Sequence, residues 1–227
     1  MTPKKKIKDY INKSVRRLKH RKGYGVHSPF AFSVITDVIE ERLPYYAYQV
    51  MNRVYLKNSP ITSKVAFLLF RLANRFRSRK ILELNCDGGY TLLPFVLVDS
   101  RNEIISIGEE FEQKSAVNRL AWLDKRAKQV SYLRKAAEIE EDYKADFIVL
   151  TSFPKGFTEE SLFSFIKSHM HENTVVFVKG IQDKRPFENF WDSLCDDEEI
   201  AITMDLYDYG LAIRKPRFFK QHYIVSF

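Results

Sequence analysis

The sequence predicts an α/β chain: a mostly parallel sheet of seven strands with an antiparallel C-terminal hairpin, preceded by a helical extension. Three observations predict it. From residue 80 onward, short apolar runs alternate with helical patterns, as parallel strands joined by crossover helices require. The last two runs instead flank Asp208-Tyr209-Gly210, a turn cluster suited to a hairpin. Before residue 80 the signals are helical throughout.

The elements follow in order. Ile7, Ile11, Val15 and Leu18 make an apolar stripe on a basic helix that Gly23 and Gly25 end. Ser28-Pro29 reads as a capped helix start, with Phe30, Val34 and Val38 on one face. A Tyr-rich helix is expected from about Tyr45 to Lys57. Ser59-Pro60 repeats the start signal for a helix to about Arg77, whose Val65, Leu68, Leu69, Leu72 and Phe76 face inward. The strand runs are Lys80–Leu84, Glu103–Ile107, Gln129–Leu133, Asp146–Leu150, Thr174–Val178, Ile200–Leu206 and Leu211–Arg214. Helices are expected at about 90–99, 111–127, 158–170 and 185–195. His222–Phe227 has the character of one further strand. This organisation divides the chain into a basic arm (1–22), a helical extension packed on the core (23–78) and an α/β domain (79–227).

With 227 residues, 18 Phe and 12 Tyr, the chain can fill a substantial core, and 8 Gly and 8 Pro exclude collagen-like and low-complexity classes. The net charge of +8 is uneven: residues 1–22 hold ten Lys and Arg against Asp9 alone, and the rest of the chain sums to −1. Any affinity for polyanions therefore belongs to the arm. Cys86 and Cys195 have neither disulfide nor metal-ligand spacing, which suits a reducing compartment. With no signal-peptide core and no run of about 18 apolar residues, the expected location is the cytoplasm.

The most informative segment runs from Lys80 to Thr91, KILELNCDGGYT. An apolar strand ends near an acid, turns tightly and opens a helix. Such a turn needs positive φ and lets backbone N–H groups at a helix N-terminus approach a ligand. It resembles the first motif of the class I S-adenosylmethionine-dependent methyltransferases, Glu/Asp-x-Gly-x-Gly-x-Gly. A wider similarity is to bacterial methyltransferase-like proteins with a helical N-terminal extension. It is carried by Gly25-Val26-His27-Ser28-Pro29-Phe30-Ala31-Phe32 and by Asp205-Leu206, Gly210–Ile213 and His222–Val225. The resemblance implies a Rossmann-like methyltransferase sheet and S-adenosylmethionine as cofactor. It implies cofactor contacts from Glu83, Asn85, Cys86, Asp87, Gly88 and Gly89, from Thr151 after the fourth strand, and from an acid after the second.

The departures are as informative. The motif's glycine positions read Asn85, Asp87 and Gly89; Asn and Asp tolerate positive φ, but their side chains fill space the cofactor would use. Where the family places its ribose-binding acid stands Gly108, with Glu109 one residue later. Glu109 is either a shifted ribose ligand or a solvated acid at a helix N-terminus. Relatives that are metal-dependent O-methyltransferases carry Asp-Gly and Asp-Asp after the fourth and fifth strands. Here Thr151-Ser152 and Lys179-Gly180 stand there, and these cannot build an oxygen-rich Mg²⁺ site. No metal is expected.

Other candidates read blandly. Lys179 is a general base only if burial depresses its pKa. His169 and His171 do not share a helix face. His27 and Cys86 are expected to be structural, and Glu138–Asp142 a solvated face. The arm is expected to dock its stripe on the body or on a second subunit of a homodimer, or to contact an anionic surface such as a membrane. Sequence-specific nucleic-acid binding is not expected, since Tyr10 is the arm's sole aromatic. Two functions stay open: metal-independent methyl transfer to an acceptor the sequence does not identify, or a catalytically degenerate fold serving as a binding scaffold.

Overall fold

Two helices of the extension start at a side-chain cap, whereas the helix opening at Tyr46 has none. The computed structural model describes residues 12, 14–16, 18, 19, 23, 25–55, 59–182 and 187–227. Ser28 Oγ accepts the Ala31 N–H at 3.3 Å and Pro29 opens α1 (Pro29–Val34), which runs on into a π-helical segment, Ile35–Ile39. α2 covers Tyr46–Val54. α3 spans Ser63–Arg75 and is capped by Thr62, not by Ser59 as expected from the Ser-Pro signal: Thr62 Oγ1 takes the Val65 N–H, while the Pro60 carbonyl is used by Lys179.

The sheet has the order β3-β2-β1-β4-β5-β7-β6-β8. β1 (Lys80–Leu84), β2 (Glu103–Ile107), β3 (Val130–Leu133), β4 (Ala145–Leu150) and β5 (Met170–Lys179) are parallel. β7 (Tyr209–Ile213) runs antiparallel to β5 and to β6 (Ile202–Asp205), so the predicted hairpin is present. An eighth strand, β8 (Gln221–Ile224), adds parallel to β6. It is half exposed at the sheet edge and answers to the further strand expected at His222–Phe227, beginning one residue earlier and ending at Ile224.

Crossover helices are α4 (Leu92–Val98), α5 (Glu110–Leu120), α6 (Glu159–Ser168) and α7 (Phe187–Asp196). The helix expected at 111–127 is α-helical only to Leu120 and continues as a 3₁₀ segment, Ala121–Gln129. Residue 185 and Lys57, expected helix ends, lie outside the described residues. Side chains alternate across the sheet. Ile81 and Phe147 face a layer containing α1, α3 and α4, whereas Leu82, Leu84 and Ile148 face α6 and α7.

The described part of the arm is helical and meets the hairpin through Arg16, whose guanidinium holds Asp205 Oδ1 and Oδ2 at 2.6 and 2.9 Å. Ile7 and Ile11 lie outside the described residues. Val15 and Leu18 are exposed and do not dock on the body, which meets the arm here through the Asp205 carboxylate. No helix among the described residues is long and apolar enough to cross a membrane.

Candidate cofactor site

The sheet reverses its winding between β1 and β4, and open α/β sheets bind ligands outside the carboxyl ends of the strands at such a point. A cavity of about 760 Å³ lies there. Its floor is Leu84 and Ile107 at the tips of β1 and β2. Asn85, Gly108, Glu109 and Glu110 form one side, Arg134 to Ala137 after β3 another, and Pro154 to Phe157 after β4 the third, with Phe165 of α6 behind them. The volume falls in the range of small-molecule sites, and the mixture of apolar walls and a few polar groups is typical of them.

The turn after β1 has positive φ at Asn85 (71°), Gly88 (74°) and Gly89 (87°), but not at Asp87. Asn85 thus takes the backbone role of the missing first glycine. Its Nδ2 donates to Ser152 Oγ across the gap between the β1 and β4 tips. Asp87 turns inward: Oδ1 accepts the Thr91 N–H at 3.0 Å and Oδ2 the Thr91 hydroxyl at 2.5 Å. Burial raises its pKa, and those bonds together with Lys179 oppose the rise. Gly89 lets α5 pack closely, since a Cβ there would sit 2.9 Å from Ala116 Cα. α5 also clamps the turn through Arg119, whose Nε donates to the Gly88 carbonyl at 2.7 Å and whose guanidinium stacks 3.7 Å above Tyr90. On the opposite side Tyr55 of the extension donates to the Tyr90 carbonyl at 2.5 Å.

Of the sequence-derived candidates, Asn85 and Glu109 line the cavity; Glu83, Cys86, Asp87, Gly88, Gly89 and Thr151 are not in its lining. Glu83 faces the other side of the sheet from Leu84, 1 % exposed, and accepts from Ser106 Oγ, its register partner on β2. Burial holds its carboxyl well above the usual 4.5. Cys86 packs against Gly108, and burial pushes its thiol up to about 12, which favours the protonated form. Thr151 Oγ1 is buried at the tip of β4 without a hydrogen-bond partner. Glu109 precedes α5 and pairs with Lys155 at 3.1 Å, both largely exposed.

Gly108 has a spatial cause. A Cβ on it would lie 2.6 Å from Cys86 Cβ and 2.9 Å from the Cys86 nitrogen, which donates to the Ile107 carbonyl at 2.7 Å. An acid therefore cannot occupy the tip of β2, and the next residue is the first that can offer one. Arg134, Lys135, Lys155, Phe157 and Phe165 are cavity residues the sequence reading missed. Arg134 directly follows the β3 run, a signal that marks it; the others reach the cavity through a loop and a helix whose placement is tertiary.

The remaining candidates lie elsewhere. Lys179 Nζ donates to the Pro60 carbonyl at 2.6 Å. His171 pairs with Asp146 at 2.8 Å near the start of β4, and His169 Nδ1 contacts the Phe165 carbonyl at 2.8 Å. Among the described residues no three His, Cys, Asp or Glu come together as a metal-holding group.

Glu83 makes stability depend on pH. Its folded pKa lies above its unfolded value, so the fold holds its proton more tightly than the unfolded chain does. Its favourable share is complete below about pH 4.5 and is lost as pH rises toward the folded pKa. Glu83→Gln keeps the Ser106 contact without the titration. The variant is expected to melt several degrees higher than wild type at pH 8 and equally at pH 4, read by thermal melts across pH; a lower melting temperature at pH 8 contradicts the assignment.

Solved structures share this architecture. An O-methyltransferase from Bacillus cereus in complex with SAH superimposes with a TM-score of 0.57 at 15% identity, covering 81% of this chain and 97% of that one. The chain is built on the class I methyltransferase fold. The O-methyltransferase TomG from Streptomyces achromogenes, involved in tomaymycin synthesis and solved in complex with SAM, gives 0.57 at 17% identity over 82% and 95%. A methyltransferase from Geobacter sulfurreducens gives 0.57 at 13% over 81% and 96%. No family model matches the chain, and no curated protein matches it in sequence.

Proposed function

We propose that the chain binds S-adenosylmethionine in the cavity beside Asn85 and Glu109 and transfers its methyl group, without a metal, to an acceptor. The observation that carries this reading is the cavity itself, nucleoside-sized and open at the winding reversal despite the substitutions in the turn. The nucleoside half fits: Ile107, Ala136 and Phe157 offer apolar walls to a base, and Glu109 is the nearest acid for ribose hydroxyls once it leaves Lys155. Thr151 Oγ1, buried and unpartnered, is a spare hydrogen-bonding group at the tip of β4.

The cofactor supplies a methyl group already activated on a sulfonium. The protein then has chiefly to position the acceptor in line, and an obvious acid–base pair is not required. Lys179, held by the Pro60 carbonyl, is not free to act as a base. Thr151, Ser152, Lys179 and Gly180 offer no carboxylate at the positions where metal-dependent relatives carry theirs.

The second reading, a degenerate fold acting as a scaffold, is favoured by one specific feature: the Asn85–Ser152 bridge spans the crevice between the β1 and β4 tips. Thermal melts with S-adenosylmethionine and S-adenosylhomocysteine separate the two. Binding to the folded state should raise the melting temperature by several degrees. Asn85→Gly removes the bridge and suits the 71° φ, so it is expected to tighten binding about tenfold with no loss of stability. Absence of any shift at millimolar ligand, in both wild type and Asn85→Gly, contradicts cofactor binding and favours the scaffold reading.

A further inference from the structure

The charged side chains that line the cavity are mostly cations. Arg134 and Lys135 follow β3 and Lys155 follows β4, against Glu109 and Glu110 at the start of α5. Beyond its first 22 residues the chain sums to −1, so this positive excess is local. Two of the cations sit on the two acids. Lys155 Nζ lies 3.1 Å from Glu109 Oε1, and Arg134 Nη2 lies 2.8 Å from Glu110 Oε2. Lys114 also holds Glu110, at 2.7 Å. Lys135 is exposed and has no carboxylate at ion-pair distance among the described residues.

S-adenosylmethionine makes little use of these cations. It carries an ammonium, a sulfonium and one carboxylate, so its net charge is positive. Its ribose diol also requires Glu109 to leave Lys155. A ribose phosphorylated on its 2′ or 3′ oxygen makes no such demand. An ammonium has three donors and a guanidinium five, so Lys155 and Arg134 keep their acids and still turn other donors to a phosphate set beside them. A phosphate monoester brings about −1.5 to −2 charges at neutral pH and three acceptor oxygens, and a guanidinium meets two of those at once. We infer that the cavity takes a nucleoside whose ribose ring carries a 2′- or 3′-phosphate. Arg134, Lys135 and Lys155 meet the phosphate, and Ile107, Ala136 and Phe157 face the base. The inference rests on the nucleoside placement proposed above and adds a second class of ligand, which excludes S-adenosylmethionine from the same cavity.

Isothermal titration calorimetry of the full chain tests it, with adenosine, its 2′-, 3′- and 5′-monophosphates and S-adenosylhomocysteine as titrants. The 2′- or the 3′-monophosphate should bind at least about tenfold more tightly than adenosine or the 5′-monophosphate, and added salt should narrow the gap. S-adenosylhomocysteine should compete with it. In Lys135→Ala/Lys155→Ala the gap should fall to about threefold or less, with the melting temperature unchanged because both side chains are exposed. Equal affinity for adenosine and the ring phosphates, an equal gain from the 5′-phosphate, or a gap that persists in the double variant overturns the inference. Binding of S-adenosylhomocysteine without any phosphate preference overturns it alone. Phosphate-selective binding without S-adenosylhomocysteine binding overturns the methyl-transfer reading alone, and failure of every titrant to bind overturns both.

Discussion

Gly108→Asp, which would place an acid where class I methyltransferases carry their ribose ligand, is expected to damage this protein rather than improve it. Its Cβ would meet Cys86 Cβ at 2.6 Å and the Cys86 nitrogen at 2.9 Å. A flexible side chain could yield, but the second contact is with backbone fixed by the Cys86–Ile107 hydrogen bond. Overpacking of this kind costs about 3 kcal/mol, which in a chain of this length lowers Tm by about 6–12 °C. Cys86→Gly in the same chain should recover only part of the loss, since the nitrogen remains. A Gly108→Asp protein as stable as wild type would mean the turn after β1 does not press on β2 as described.

Arg71→Met is expected to be the most damaging single change in the helical extension. Arg71 is 7% exposed on α3, and its guanidinium donates to the Val38 carbonyl at 2.5 Å, the Ile39 carbonyl at 3.2 Å and the Tyr48 hydroxyl at 2.9 Å. Val38 and Ile39 end the π segment, so no later helical N–H takes their carbonyls. Methionine fills similar volume but leaves these acceptors unpaired in a buried place, at a cost of about 3 kcal/mol or more. Arg71→Lys, which keeps one donor, should lose less. Denaturant melts measure both; equal stability of wild type and Arg71→Met would show that the extension is held by apolar packing alone.

The part of the fold legible from sequence is the part set by local pattern. β1 and β2 begin and end where their apolar runs do, because each run is bounded by charge or by a turn. The hairpin was legible as two apolar runs around a break, but its turn is Leu206–Asp208, with Tyr207 at φ 76°, and Tyr209 and Gly210 of the expected turn cluster lie inside β7. The start of α1 was legible through Ser28-Pro29, whereas α3 is capped by Thr62 and not by Ser59. The site was legible as a place but only partly as a set of residues. Strand alternation alone puts Glu83 on the face opposite Leu84, so that acid could have been removed from the cavity in advance. That α5 lies on Gly89, and that Cys86 occupies the space beside Gly108, depends on how helices and loops pack, which no spacing rule encodes. The arm's contact with the body was not legible either: the described part meets it through Arg16 and Asp205, an ion pair that the apolar stripe does not announce.

Isothermal titration calorimetry with S-adenosylhomocysteine, on wild type and on Ala137→Trp, tests the cavity assignment most directly. Ala137 is exposed at the cavity mouth, so an indole there should obstruct the cavity without unfolding the chain. Saturable one-site binding to wild type, weakened at least about tenfold in Ala137→Trp, is the expected result. No binding to wild type, or equal affinity in both proteins, would contradict it.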